Sequence, residues 1–356
     1  MKATATKSIS EKTKIKPIDL SAVLQPIAGD ASGKNLLSMW QLEADDIRDY
    51  LNEAYAAELA VQASGGKIIL PCLVAKAVMR QPSTRTGGSF TTAMRKLGGG
   101  SELISGMSSS SEAKGETLAD SWVAFATQAD MLGIRTSEDD GAAMAAYYIA
   151  EAVKTGQLWQ TVPVINLGDG RNEHPTQALG DLFTIHKKFK KFEGLNLTIV
   201  GDQARYRAHH SLMIGASKLG MKITAVESSA APVPAELASL LGDSLTITRD
   251  LDQAMLHTDI LYLGRNPDEY TGDDWAEKTR SERLTLDYLN WKIDYARIQQ
   301  LKPESIVMHP RPRLGELSPD VDNDHRMKDV EQMANMIPMR MAIIARHFGK
   351  SIAKSR

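Results

Sequence analysis

The chain has few cysteines and aromatics and no long apolar run, and each shortage removes a class of protein. A single cysteine in 356 residues, Cys72, cannot form an internal disulfide, which suits a cytoplasmic setting. It lies in an apolar stretch, 68–74, and reads as a buried strand residue rather than a nucleophile. No apolar run is long enough to cross a bilayer, so no membrane partner is expected. A formal net charge of -2 gives no overall attraction to nucleic acid, and any positive potential must be local. The first 33 residues lack the apolar core of a secretory signal, and Glu11 with the absence of arginine argues against a transit peptide; a mobile extension over 1–33 is expected. There is no Walker A sequence, no G-x-G-x-x-G after a strand and no internal repeat. His209-His210 stands without accompanying Cys, Asp or Glu at ligand spacing, so core packing is the better reading and no metal is expected.

What is present is a globular composition, 42% hydrophobic and 24% charged, on a chain long enough for two domains. Helical and strand patterns alternate from residue 36 onward. Helices are expected near 43–60, after Thr86, near 141–155 and at 176–188, with strands at 67–74, 129–134 and 162–166. A second series places strands at 195–201, 222–226, 244–248, 260–263 and 305–308, with a last helix over 330–347 whose methionines read as core filler. This rhythm predicts an α/β fold of two doubly wound parallel-sheet domains joined through the helix at 176–188, with sites gathered at the carboxyl ends of strands.

The most telling segment is Gln81-Pro82-Ser83-Thr84-Arg85-Thr86-Gly87-Gly88, where hydroxyls and a guanidinium stand at the start of a helix. Unpaired N–H groups and the positive end of the helix dipole welcome a dianion there. Ser83, Thr84 and Thr86 add donors, and Arg85 can bind phosphate oxygens bidentately. An ordinary surface N-cap is the competing reading. Arg135, His174-Pro175-Thr176-Gln177, the basic stretch 205–210, Gly264-Arg265 and His309-Pro310-Arg311-Pro312-Arg313 also fall where strands should end. Six polar clusters in one topological position point to a shared cleft.

The order and spelling of these clusters, with Lys114-Gly115-Glu116-Thr117-Leu118-Ala119-Asp120 and Val200-Gly201-Asp202, resemble the aspartate/ornithine carbamoyltransferase family, on its aspartate branch, over 34–350. The resemblance implies a phosphate-binding turn at Ser83, Thr84, Arg85 and Thr86 for carbamoyl phosphate, with Pro310 beside it. It implies that Thr86, Arg135 and His174 polarise the carbamoyl oxygen, that Gln177 accepts from the carbamoyl amide, and that Arg207 and Arg265 hold the carboxylates of L-aspartate. Lys114 and Ser110 would reach into a neighbouring subunit's site, making the active unit a homotrimer in which Lys114 also contacts aspartate. No cofactor is implied, and the chain carries no signal for or against regulatory chains. The carbamoyl-phosphate half is expected over 34–175 with 330–356, and the amino-acid half over 176–329.

Several positions depart from the family's usual spelling. Gln81 stands for a glutamate, Gly87 for an arginine, and Arg311 adds a cation expected beside aspartate. The run that normally follows Arg265 is split, with Arg280-Ser281-Glu282-Arg283 arriving only after an insertion. These departures bear on the amino-acid acceptor more than on carbamoyl phosphate. A carbamoyltransferase for another amino acid, or a catalytically weak paralogue acting as a structural or regulatory partner, are the alternatives.

Overall fold

In the computed structural model the described residues are 19–106, 115–265 and 275–354, with side chains from 278 onward in the last segment. The first half runs α1 (Ala44–Ser64), β1 (Val74–Met79), α2 (Thr84–Lys96), β2 (Gly100–Ser105), α3 (Leu118–Ala126), β3 (Met131–Thr136), α4 (Gly141–Lys154), β4 (Val164–Asp169) and α5 (Pro175–Phe189). The second runs β5 (Asn196–Gly201), α6 (Arg207–Lys218), β6 (Lys222–Glu227), α7 (Ala235–Leu241), β7 (Leu245–Thr248), α8 (Leu251–Met255), β8 (Ile260–Leu263), α9 (Trp275–Asn290), α10 (Tyr295–Ile298) and β9 (Ile306–Met308), before α11 (Asp329–His347) returns to the first half.

Every pairing between these strands is parallel, in a four-stranded sheet ordered β2-β1-β3-β4 and a five-stranded sheet ordered β7-β6-β5-β8-β9. Helices cover the faces, so β1, β4 and β5 are buried almost throughout, whereas the edge strands β2 and β7 are largely open. Both orders reverse direction once, between β1 and β3 and between β5 and β8. A crevice opens at the carboxyl ends of strands wherever the order reverses. The expected phosphate turn and Arg135 follow the first reversal, and Arg207 and Arg265 the second.

The two sheets share one apolar core. Ala178, Leu179, Leu182 and Phe183 of α5 join residues of the first sheet to Leu212 and Met213 of α6 and to Ile199 and Tyr262 of the second. The helix α11 packs on α1, α2 and α5. Gly180 of α5 leaves room for Met336 of α11: a Cβ there would lie 2.3 Å from Met336 Cε.

Three expectations need correction. The first strand is Val74–Met79, not 67–74. Its alanines and Lys76 weakened the apolar signal, yet Lys76 is buried with Glu102 Oε2 and Gln128 Oε1 each 2.8 Å from its Nζ. Cys72 is therefore not a buried strand residue; it is exposed, in the turn before β1, with φ of 68°. Nor is the whole of 1–33 a free extension, since Val23, Ile27 and Ala31 are buried against the core. Residues 1–18 lie outside the described residues. No described helix is long and apolar enough to cross a membrane.

Candidate active site

A cleft of about 270 Å³ opens between the sheets, lined by Ser83, Arg85, Thr86, Arg135, His174, Gln177, Arg207, Arg265, Pro310 and Arg311 from the expected set. Thr84 is exposed on the first turn of α2 and does not line it. Ser110 and Lys114 lie outside the described residues. Among the described residues the lining holds seven arginines, adding Arg205 and Arg340, and no carboxylate. Arg205 is held by buried Asp202, Nε to Oδ2 at 2.6 Å. Arg311 donates from Nε to Asp329 Oδ2 at 2.6 Å, so its head group is committed to the start of α11.

At the expected phosphate turn, Ser83 is in extended conformation and caps α2, its Oγ accepting from Thr86 N at 3.3 Å. Arg85 Nη2 donates to the Arg311 carbonyl at 2.7 Å across the cleft. Burial, with repulsion from Arg265 and Arg311 against a favourable Tyr206, lowers the Arg85 pKa from its ordinary value. Gly87, the departure beside the turn, makes room for β2: a Cβ there would meet Leu103 Cδ1 at 2.5 Å.

Arg135 leaves the end of β3 and Arg207 opens α6, and the two guanidinium groups converge over Gly168. That glycine has φ of 114°, and a Cβ on it would lie 2.9 Å from Arg135 Nη1 and 3.0 Å from Arg207 Nε. Arg207 Nη1 donates to the Gly170 and Thr136 carbonyls at 3.1 and 3.4 Å, and Nη2 donates to Gln81 Oε1. Gln81 thus bridges the two halves even without a charge.

His174 precedes α5, which begins with Pro175, a residue suited to the first helical position. Its backbone N donates to Ser211 Oγ at 2.8 Å, and Ser211 Oγ donates to Glu173 Oε2 at 2.9 Å. Glu173 also accepts from Met39 N at 2.9 Å and from Ser38 Oγ. Burial, then Arg135, Arg207 and Arg340, hold the His174 pKa well below the ordinary histidine value. That favours a neutral ring, whose Nδ1 lies 3.4 Å from Thr176 Oγ1. His209 and His210 are buried: His209 Nδ1 faces Gln203 Oε1 at 3.0 Å, and the His210 nitrogens face the Asn172 and Gln203 carbonyls at 2.9 and 2.7 Å. Both pack as core residues.

The structure adds residues that the sequence did not single out. Gln332 and Arg340 of α11 line the cleft, and Met333 and Met336, expected as core filler, form its apolar wall with Ile337. Asp181 lies beneath, fully buried, accepting from Gln177 Nε2 at 2.8 Å. The spacing of four from Gln177 was the available signal, since it puts both side chains on one helix face. Arg280–Arg283 lie within α9, and the insertion at 266–274 lies outside the described residues.

Chemically, this cleft offers a helix N-terminus with hydroxyl donors, a neutral imidazole donor and converging guanidinium groups. It suits a phosphorylated acyl group beside a carboxylate-bearing partner. Family models agree: the carbamoyl-P binding domain of aspartate/ornithine carbamoyltransferases matches residues 34–187, and the Asp/Orn binding domain of the same enzymes matches 193–346. The aspartate carbamoyltransferase catalytic subunit of Thermoplasma volcanium is 31% identical over 89% of this chain and 98% of its own. That of Archaeoglobus fulgidus is 31% identical over 88% and 98%. The aspartate transcarbamoylase of Trypanosoma cruzi in complex with carbamoyl phosphate superposes with a TM-score of 0.79 at 31% identity, covering 91% of this chain and 98% of that one. Its complex with carbamoyl phosphate and aspartate gives 0.79 at 30%, covering 90% and 98%. The chain belongs to the aspartate/ornithine carbamoyltransferase family.

Proposed function

We propose that the protein transfers the carbamoyl group of carbamoyl phosphate to the amino group of L-aspartate, releasing N-carbamoyl-L-aspartate and phosphate, a step of pyrimidine synthesis. The observation that carries this reading is the cleft itself. Arginines and an anion-binding helix start meet at both sheet reversals, with no carboxylate among the described lining residues. Two anionic substrates fit such a lining.

Carbamoyl phosphate places its phosphate on the first turn of α2, against Ser83, Arg85 and Thr86, with Pro310 beside the carbamoyl group and Thr84 facing away from the cleft. Thr86, Arg135 and His174 donate to the carbamoyl oxygen as negative charge builds there. Arg207 and Arg265 hold the aspartate carboxylates, and Arg311 shapes that end of the cleft. The deprotonated α-amine forms a bond to the carbamoyl carbon, the carbon–oxygen bond to phosphate breaks, and the leaving phosphate takes the amine's second proton. Positioning and preorganised donors suffice for this route, without a protein base.

We assign 34–175 with 330–356 to the carbamoyl-phosphate half and 176–329 to the aspartate half. Ser110 and Lys114 are assigned to a neighbouring subunit's site in a homotrimer, working in the cytoplasm. The test is a ureido-product assay with carbamoyl phosphate and a panel of amino acids. Product with aspartate and none with ornithine is expected; turnover with another acceptor alone, or with none, overturns the reading.

A further inference from the structure

Gln177 has two faces that differ only in which atom is oxygen and which is nitrogen. Shape does not decide between them; the hydrogen-bond partners do. Here they form a chain of fixed polarity. The backbone N–H of His309, which can only donate, lies 2.9 Å from Gln332 Oε1. The other end of that amide, Gln332 Nε2, therefore donates, to Asp181 Oδ1 at 2.7 Å. The same Oδ1 lies 2.8 Å from Gln177 Nε2. Tyr262 of β8 donates to Asp181 Oδ2 at 2.8 Å, so both oxygens are used and the carboxylate has no donor of its own. Asp181 and Gln332 are fully buried, so water does not compete.

We infer that Asp181 is a positioning residue: it holds Gln177 Nε2 inward and so aims Oε1 into the cleft, selecting an acyl phosphate that bears an NH2 over one that bears a methyl. This rests on the reading of Gln177 as acceptor for the carbamoyl amide. A methyl in that place would leave a carbonyl oxygen without a donor, whereas an NH2 satisfies it. The arrangement survives protonation of Asp181. Burial pushes its pKa up to about 7, and a proton on Oδ2 faces Tyr262, whose oxygen can accept while Oδ1 still receives both amides. The nearby cation is Arg340 of α11, itself buried and lowered to about 10 by burial, with Asp181 opposing. The polarity is thus relayed from the loop after β9, through α11, to a helix of the first half.

Two stable ligands differ only at the group in question: phosphonoacetamide carries NH2 where acetonylphosphonate carries CH3. Calorimetric dissociation constants for both, and for inorganic phosphate, are to be measured on the full-length protein and on Asp181→Ala, Asp181→Leu, Asp181→Asn, Gln177→Ala and the Gln177→Ala/Asp181→Ala double variant. Alanine leaves a void and leucine fills it, so the deletion is tested by two routes with folding checked by melting. The unmodified protein is expected to prefer the amide by about fivefold or more, the scale of one hydrogen bond. Asp181→Ala and Asp181→Leu should bring that ratio to about one while phosphate affinity stays within about threefold. Asp181→Asn, which keeps an acceptor at the Oδ1 position, should retain the preference, and the double variant should match Gln177→Ala. Survival of the ratio in both deletions, its loss in Asp181→Asn, or equal weakening of all three ligands overturns the inference. If Gln177→Ala loses the preference and the Asp181 deletions keep it, only the positioning role fails. If the unmodified protein binds neither phosphonate, the carbamoyl-phosphate reading fails with it.

Discussion

Replacing Gly168 by alanine tests whether the convergence of Arg135 and Arg207 is the working arrangement. The new Cβ would stand 2.9 Å from Arg135 Nη1, 3.0 Å from Arg207 Nε and 3.1 Å from Arg207 Cζ. Those contacts cannot all persist, so at least one guanidinium shifts by several tenths of an ångström. Misplacement on the order of 1 Å can cost about a hundredfold in rate, and a fall of roughly 10- to 100-fold in kcat/KM is expected for both substrates. A φ of 114° adds backbone strain of about 1–3 kcal/mol, seen as a lower Tm. Gly156→Ala separates the two effects: its φ is 77° and nothing lies within 4 Å of the added Cβ, so it carries strain without displacement. Steady-state ureido-product kinetics and thermal melts on both variants decide. Full kcat/KM in Gly168→Ala with only a lower Tm would refute the idea that the two guanidinium positions matter.

Removing the imidazole donor with His174→Ala should cut kcat by roughly 100- to 1000-fold, the scale of one preorganised oxyanion donor, with little change in melting; single-turnover kinetics check it. Mixing Lys114→Ala with Arg207→Ala protein should restore part of the activity through hybrid sites if subunits share a cleft, and no recovery in demonstrably mixed assemblies counts against that sharing. His347 Nδ1 faces the Lys34 carbonyl at 2.7 Å and Nε2 lies 2.8 Å from the Tyr50 hydroxyl, and burial lowers its pKa to about 4. The unfolded chain therefore binds the extra proton first, and this histidine's contribution is present above about pH 6.5 and lost as pH falls toward 4. Relative to His347→Gln, the unmodified protein should lose stability between pH 7 and 5, by denaturant titration.

Much of the fold was legible because a parallel sheet buried on both faces writes itself as apolar runs. The segments at 195–201 and 260–263 emerged within a residue of their final bounds. At β1 the signal weakened, because alanines and a buried, paired lysine replaced branched residues. The edge strand β2 begins at a glycine and is mostly exposed, so no apolar run announced it. Among site residues, those at strand ends were readable, since polar side chains there have few structural reasons to cluster. Gln332 and Arg340 were hidden in a helix whose methionines suggested only packing.

Residues close in sequence thus set the alternation of strands and helices, the capped helix start at Ser83 to Thr86 and the order of polar clusters. Tertiary structure decided which clusters meet. It fixed the strand orders that bring both reversals to one cleft, the approach of Arg135 and Arg207 over Gly168, and the pairing of Arg311 with Asp329. It also fixed the direction of the Gln177 amide. That direction depends on Asp181, Gln332 and the backbone of His309, contributed from three separate parts of the chain. Hydrogen-bond polarity is a property of neighbours in space, and the chain acquires those neighbours only on folding.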